Sequence, residues 1–178
     1  MAGLLTDPQL EQFRKQGYVI AEEVFDPEVD FRALKQDYSD ILDRIAAKML
    51  YHKKIQSYTS RDSFSKRIID VVRQAGDLPW QPFDISLPQK PLTPDTPMYL
   101  GAAAFDLLTH GPLIDIVEQL IGPEVYSNPV QHIRMNIPTP EHRTDNELHD
   151  IKRTTPWHQD NGVVTDDADD TEMLTVWV

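Results

Sequence analysis

Six prolines fall between Asp77 and Pro97, and this run restricts the fold more than any other stretch of the chain. Each proline lacks an amide donor and restricts the residue before it, so neither a helix nor a central strand continues through the run. A loop of this length inside a domain is usually functional or a linker. We interpret it as a loop on the substrate side of a site or as a wrap over the surface.

Helix signals dominate the residues before the proline run. Thr6, followed by a proline in the first turn, predicts the start of a first helix that ends at Gly17. Asp26, also followed by proline, predicts the start of a second helix, and a third begins near Ser63 and ends before Gly76. The apolar residues of the second helix recur at helical spacings of three and four, which indicates a buried stripe: Phe31, Leu34, Tyr38, Ile41, Leu42, Ile45 and Met49.

The pattern changes from helix to strand after residue 122. Two short helices are predicted at 101–110 and 111–122, and Tyr18–Ala21 is predicted as a short strand. Residues Glu124 to Ile137 have strand character, because Ile133, Met135 and Ile137 alternate with His132, Arg134 and Asn136, a period of two that is typical of a strand. The polar stretch from Pro138 to Thr155 then reads as a solvated loop.

A His and an Asp stand two residues apart at His158 and Asp160. In a strand their side chains point to the same face, because strand side chains alternate. An imidazole and a carboxylate on one face supply two of the three ligands of the facial triad that holds non-haem Fe(II). Taken alone, the spacing is also compatible with a solvated turn.

The residues around this pair resemble the phytanoyl-CoA dioxygenase family of Fe(II)- and 2-oxoglutarate-dependent oxygenases. In that family a Trp-His-x-Asp segment precedes a Leu-Thr-x-Trp strand, and here Trp157–Asp160 precedes Leu174–Trp177. The segment Leu10–Ile20 is similar to the family's opening helix and strand. The resemblance spans about residues 6–178.

The resemblance implies one domain over residues 1–178, a length that suits a single domain. The implied fold is mainly β, a double-stranded β-helix or jelly roll with N-terminal helices packed outside, incomplete at the C-terminus. Residues 1–122 would be mostly helical, with the proline-rich loop at 77–97. Residues 123–178 would carry the first barrel strands and the His-x-Asp motif.

The implied activity is hydroxylation of a small organic substrate or acyl thioester by O₂, with decarboxylation of 2-oxoglutarate to succinate. His158 and Asp160 would be the catalytic metal ligands, holding Fe(II). The implied contacts to 2-oxoglutarate are Gln131, Ile133 and Trp177. An alignment shifted by one residue would turn Arg134 inward instead of Ile133. Ordinary sheet packing is the alternative for Gln131 and Ile133, and a core aromatic is the alternative for Trp177.

One departure from the family leaves two other hypotheses open. The family takes its second iron-binding His, and an Arg that holds 2-oxoglutarate, from downstream of the His-x-Asp pair. Here the other histidines lie upstream: His52, His110, His132, His142 and His149. We therefore expect a fragment or truncated product, either an inactive remnant or half of a split enzyme. Its partner would be a separate C-terminal chain, or a second copy joined through exposed strand edges. A zinc-dependent hydrolase is the third hypothesis.

Charge and composition narrow the partners and the compartment. The formal net charge is -12, with 29 acidic against 17 basic residues, which disfavours nucleic acid and anionic membrane surfaces as partners. There is no Cys, which fits a reducing cytoplasm. The first residues show neither a basic region nor an apolar region of the secretory kind, and no apolar run is long enough for a membrane span. We expect a cytoplasmic protein.

Overall fold

The computed structural model describes residues 4–86, 91–128, 131–135, 137 and 171–178. These residues form five α-helices and one short 3₁₀ helix, and they contain no β-strand. The helices are α1 (Asp7–Gln16), α2 (Arg32–Tyr51), α3 (Phe64–Ala75), α4 (Ala102–Leu108) and α5 (Gly111–Ile121), with the 3₁₀ helix at Gln81–Phe83. The chain divides into two compact units. The first takes in the described parts of Met1–Asp30, Asp106–Ser127 and Thr154–Val178, and the second those of Phe31–Phe105 and Asn128–Arg153.

Local signals set the ends of α1 and α3, as the sequence predicts. The Gln9 side chain accepts a hydrogen bond from the Thr6 backbone N–H at 3.0 Å, which satisfies one free donor at the start of α1. Ser63 caps α3 by accepting the N–H three residues further on. Both helices end at a glycine in the left-handed conformation, with φ of 78° at Gly17 and 79° at Gly76. The predicted bounds of these helices are confirmed.

The second helix begins later than the sequence predicts. Asp26 does not start α2: its carboxylate Oδ1 accepts the N–H groups of Glu28 and Val29, at 2.9 and 3.2 Å. Its own N–H donates to the carboxylate of Asp30 at 2.7 Å. These bonds close a separate turn, because aspartate side chains readily take the place of backbone acceptors. The α-helix proper then starts at Arg32.

The core of the second unit forms where α2 packs against α3 and against the proline-rich run. Phe83, at 1% exposure, and Leu78, at 2%, come from that run, so it supplies core side chains without regular structure beyond one 3₁₀ turn. Burying an aromatic or leucine side chain contributes roughly 1.5–3 kcal/mol. The other buried members of the core are Tyr38, Ile41, Leu42, Ala46, Met49, Ile55, Ile68, Val71, Val72, Trp80, Tyr99 and Ala104.

The first unit is joined by polar side chains that bind backbone groups far away in sequence. Gln119 of α5 accepts the N–H of Leu5 at 2.8 Å and donates to its carbonyl at 2.9 Å, as a neighbouring strand would. The His110 ring bonds the carbonyl of Val24 at 2.9 Å and stacks on Phe25, with ring centroids 4.5 Å apart. These contacts connect both ends of α5 to the N-terminal residues.

The expectation of a mainly β jelly roll is wrong for the part of the chain that the structure describes. Tyr18–Ala21 and Met173–Val178 have no regular structure, and neither do the described residues between 124 and 137. The alternation there is nevertheless present: Ile133 and Met135 are half-buried, whereas His132 and Arg134 are exposed. The apolar side chains pack on the helical core of the second unit instead of joining a second strand.

Two further expectations are affected by this correction. The sequence analysis expects barrel strands in residues 123–178 and exposed strand edges that drive self-association. Neither is found among the described residues of this part of the chain, which are 124–128, 131–135, 137 and 171–178. A period of two indicates an extended segment with two different faces, but a strand also requires a partner strand.

None of the helices in the described ranges combines the length and the apolar character needed to cross a membrane.

Gly101 is expected to be intolerant of a side chain. A Cβ added there would overlap the ring of Tyr99, which is 6% exposed and hydrogen-bonded to Asp37. We expect Gly101→Ala to lower the free energy of unfolding by about 1–3 kcal/mol, the usual cost of overpacking. Urea denaturation measures this loss.

The matched control is Gly111→Ala at the start of α5, where an added Cβ meets no atom within 4 Å. That variant should be neutral or slightly stabilised, because alanine is favoured over glycine in helices by about 1 kcal/mol. Equal stability of the two variants would contradict the proposed overlap with Tyr99.

Candidate functional site

The two predicted metal ligands, His158 and Asp160, lie outside the described residues, as do His142, His149 and Trp157. Within the described ranges, no group of three or more His, Asp or Glu side chains is arranged to hold a metal ion. Of the predicted site residues, the described part of the chain contains Gln131, Ile133 and Trp177.

Gln131 and Ile133 lie in the second unit and are both half-buried, whereas Arg134 is exposed. Ile133 packs against the core of that unit. Gln131 and Ile133 therefore share one face of an extended segment, and Arg134 lies on the other, as a period of two requires.

Asp84 anchors this segment, although it stands 49 residues before Ile133. Its Oδ1 accepts the backbone N–H of Ile133 at 3.2 Å, and its Oδ2 lies 3.0 Å from Nδ1 of His132. Because an ionised carboxylate can only accept hydrogen bonds, the His132 imidazole donates to Asp84 through its Nδ1–H. The hydroxyl and the N–H of Ser86 also donate to Asp84, at 3.2 and 3.3 Å. The carboxylate thus binds a backbone donor and an imidazole donor on two adjacent residues.

Buried tyrosines hold the backbone around Asp84. The N–H of Tyr99 donates to the Asp84 carbonyl at 3.2 Å, and its hydroxyl donates to the Asp37 carboxylate at 2.6 Å. Tyr38 donates its hydroxyl to the carbonyl of Phe83, and the rings of Tyr38 and Tyr99 meet edge-on at 5.3 Å. Asp84 is therefore connected to α2 through two tyrosines.

The environment keeps both tyrosines in the neutral, donating form. Burial raises the pKa of Tyr38 far above its usual value, and the neighbouring Tyr99 and Asp84 add to the effect. Burial is also the main cause of the raised pKa of Tyr99, and its hydrogen bond to Asp37 raises this pKa further. Phenols that stay protonated act as fixed hydrogen-bond donors, so their role here is structural support.

A second polar group joins α2 to α3. Arg67, at 6% exposure, forms an ion pair with Asp43, contacts the Tyr58 hydroxyl at 3.0 Å and binds the Ser39 hydroxyl at 2.7 Å. Tyr58 donates to the same Asp43 carboxylate. A cavity of about 370 Å³ lies beside this group, lined by Ser57, Tyr58, Thr59, Asp62, Arg67, Asp70, Arg73 and Gln74. The Arg67 charge is compensated by Asp43, which fits a cross-link between helices better than a ligand anchor.

Trp177, the third predicted 2-oxoglutarate contact, is 83% exposed and belongs to the first unit. Met173 and Val176 beside it are 37% and 45% exposed. Trp177 is therefore not the core aromatic that its apolar neighbours in the sequence would favour. Its indole face is accessible in the described structure.

Sequence reasoning missed Asp84, Tyr38 and Tyr99, whose hydrogen bonds hold the segment that contains Ile133. The signal at Asp84 was local only: an Asp two residues before Ser86 is typical of a side chain that caps its own turn. Nothing in the spacing indicates a contact with residues 132 and 133. Tyr38 appeared only as an apolar position in the stripe of the second helix, Tyr99 stood out by no pattern, and neither hydroxyl group left a periodic signal.

No family model, no curated protein and no solved structure matches this chain. The resemblance to the dioxygenases therefore rests on the quoted motif residues.

The stability of the second unit should depend on pH through Tyr58. Burial and the hydrogen bond to Asp43 raise the pKa of Tyr58 to about 12 from its usual 10.0, against the opposing effect of Arg67. The folded chain therefore keeps a proton that the unfolded chain loses. This contribution is complete below pH 10 and is lost as the pH rises through about 12.

We expect Tyr58→Phe to make the decline of unfolding free energy across this pH range shallower, as measured by urea denaturation at several pH values. Tyr126→Phe is the matched control, because Tyr126 is 96% exposed. The same slope in the Tyr58 variant and in the unsubstituted chain would refute the assignment.

Proposed function

We propose that this chain carries part of the active site of an Fe(II)- and 2-oxoglutarate-dependent dioxygenase. The observation that carries the proposal is the order of the motifs, with Trp157–Asp160 followed by Leu174–Trp177. Two features of the described structure are consistent with it: Gln131 and Ile133 share a face, and Asp84 accepts the backbone N–H of Ile133. Helices α1 to α5 lie in the N-terminal part, where the resemblance implies helices.

In this proposal His158 and Asp160 bind the iron. Their donor set fits Fe(II) in kind, because an imidazole and a carboxylate are two thirds of a facial triad. When bound, the metal supplies O₂ activation that couples decarboxylation of 2-oxoglutarate to hydroxylation of a C–H bond. The second His and the Arg that binds the cosubstrate are supplied, in this proposal, by a separate chain.

The remaining proposed roles belong to side chains that contact 2-oxoglutarate. The Gln131 amide is suited to donate a hydrogen bond to a carboxylate oxygen. Ile133 is suited to exclude water from the cosubstrate, and the Trp177 indole offers an apolar surface with one N–H donor. The substrate class is a small organic molecule or an acyl thioester. The compartment we propose is the cytoplasm.

The exposure of Trp177 favours a second candidate, a chain that binds metal weakly and has no turnover of its own. A cosubstrate pocket excludes water, whereas Trp177 is 83% exposed. A partner chain that covers this indole would complete the site. The two candidates differ in whether succinate forms when the chain is supplied with Fe(II), 2-oxoglutarate and O₂.

Metal binding provides the direct test of the proposed ligands. We expect Fe(II), measured by anaerobic calorimetry, to bind the chain with an affinity that 2-oxoglutarate increases. His158→Ala and Asp160→Ala should each weaken Fe(II) binding more than about tenfold, since loss of a second-shell group alone costs 10–100-fold.

His142→Ala and His149→Ala are the matched controls, because the sequence predicts that both histidines lie in a solvated loop. Fe(II) affinity that is unchanged in the His158 and Asp160 variants would rule out the proposed ligand pair. Tighter binding of Zn²⁺ with no effect of 2-oxoglutarate would favour the hydrolase hypothesis.

A further inference from the structure

The loop between α2 and α3 is held against α3 by two side chains of that helix. Gln74 accepts the N–H groups of Gln56 and Ser57 at 2.9 and 3.1 Å and donates to the Ser57 carbonyl at 3.0 Å. Arg67 donates to the Tyr58 hydroxyl at 3.0 Å. These side chains and this loop line the cavity of about 370 Å³, a volume at the lower end of the range of small-molecule sites, roughly 300–1,000 Å³. The walls of the cavity are therefore held in place by hydrogen bonds within the chain.

Two of the charged side chains that line this cavity already have a partner of opposite charge. Arg67 is paired with Asp43, and the Asp62 carboxylate accepts from the Lys66 ammonium at 2.5 Å. An ionic ligand that bound Arg67 or Asp62 would compete with these partners. This part of the wall therefore offers polar surface without an uncompensated charge.

Asp70 and Arg73 carry the remaining charges of the wall, one of each sign. They lie about one turn apart on α3, and Nη1 of Arg73 is 3.7 Å from Oδ1 of Asp70, which is too long for a hydrogen bond. Their side chains are 42% and 71% exposed, so both are accessible to a ligand. On the loop side, the Ser57 and Thr59 hydroxyl groups have no hydrogen-bond partner among the described residues. The cavity thus presents an acceptor, a donor and two hydroxyl groups.

We propose that this cavity binds a small neutral polyol, such as a molecule with one sugar ring. Each hydroxyl group both donates and accepts, so neighbouring hydroxyl groups of the ligand can donate to Asp70 and accept from Arg73. An anion would gain Arg73 but meet the like charge of Asp70, and a cation would meet the reverse. Ser57 and Thr59 supply contacts from the loop. None of these residues is assigned to iron or to 2-oxoglutarate.

The binding experiment titrates the ¹⁵N-labelled full chain with D-glucose, D-galactose and myo-inositol and follows the backbone amide signals by NMR. At least one of the three should give saturable shifts at Ser57, Thr59 and Gln74. We expect a dissociation constant on the order of 1 mM, because each hydrogen bond to the ligand replaces one to water. The constant should be the same at low and high salt, since the attraction of a neutral ligand is not screened.

Two substitutions test the proposed contacts. Thr59→Val removes a hydroxyl group while keeping the shape of the side chain, and it should weaken polyol binding by about threefold to tenfold. Arg73→Ala should weaken it by about tenfold or more, because hydrogen bonds to charged groups are stronger. Arg44→Ala is the matched control and should leave binding unchanged, because Arg44 is an exposed arginine of α2 that does not line the cavity.

Three results would overturn the proposal. The first is the absence of saturable shifts with all three polyols. The second is binding that is equally strong in the Thr59 and Arg73 variants and in the unsubstituted chain, which would place the ligand elsewhere. The third is saturable binding of glycine or inorganic phosphate, in place of the polyols, that weakens at high salt, which would identify a site for ions.

Discussion

The burial of the proline-rich run against α2 is the interaction on which the second unit depends. Prolines limit regular hydrogen bonding there to one 3₁₀ turn at Gln81–Phe83, so the run is held mainly by its buried side chains. Phe83 and Leu78 are almost fully enclosed, and the hydroxyl of Tyr38 binds the Phe83 carbonyl from α2. Burial of the apolar side chains stabilises this packing, and the directional hydrogen bond from Tyr38 fixes the position of the Phe83 backbone. Asp84 follows Phe83 directly, so its position is determined by this packing.

Charged side chains in this molecule differ greatly in how strongly they fix the structure around them. Lys15 and Glu11 form an exposed pair on α1 at 2.8 Å, and such pairs contribute about 0–1 kcal/mol. Arg67 is buried, and its hydrogen bonds to Asp43 and Ser39 fix the approach of α3 to α2. Asp84 differs from both, because its partners are backbone amides, the Ser86 hydroxyl and an imidazole instead of a permanent cation. It therefore fixes geometry without requiring a second charge.

Helix ends that depend on capping were predictable from the sequence, except the start of α2, and non-local contacts were not. The ends of α1 and α3 follow from Ser63, Gly17 and Gly76, because capping depends on residues within one turn. The alternation at 131–135 was also visible, but its interpretation as a barrel strand was wrong, since pairing depends on a partner that periodicity does not reveal. The contact of Asp84 with residues 132 and 133 spans almost fifty positions and leaves no local pattern.

The choice between Ile133 and Arg134 as the inward residue shows what each kind of interaction determines. Ile133, Met135 and Ile137 all pack on the helical core, and a slip by one residue would expose all three. It would also place an apolar side chain, or Gln131, where His132 now meets the carboxylate. Apolar burial therefore decides which face points inward, but it is nondirectional and tolerates small displacements along the segment. The hydrogen bonds to Asp84 are directional, so they determine where along its axis the segment rests.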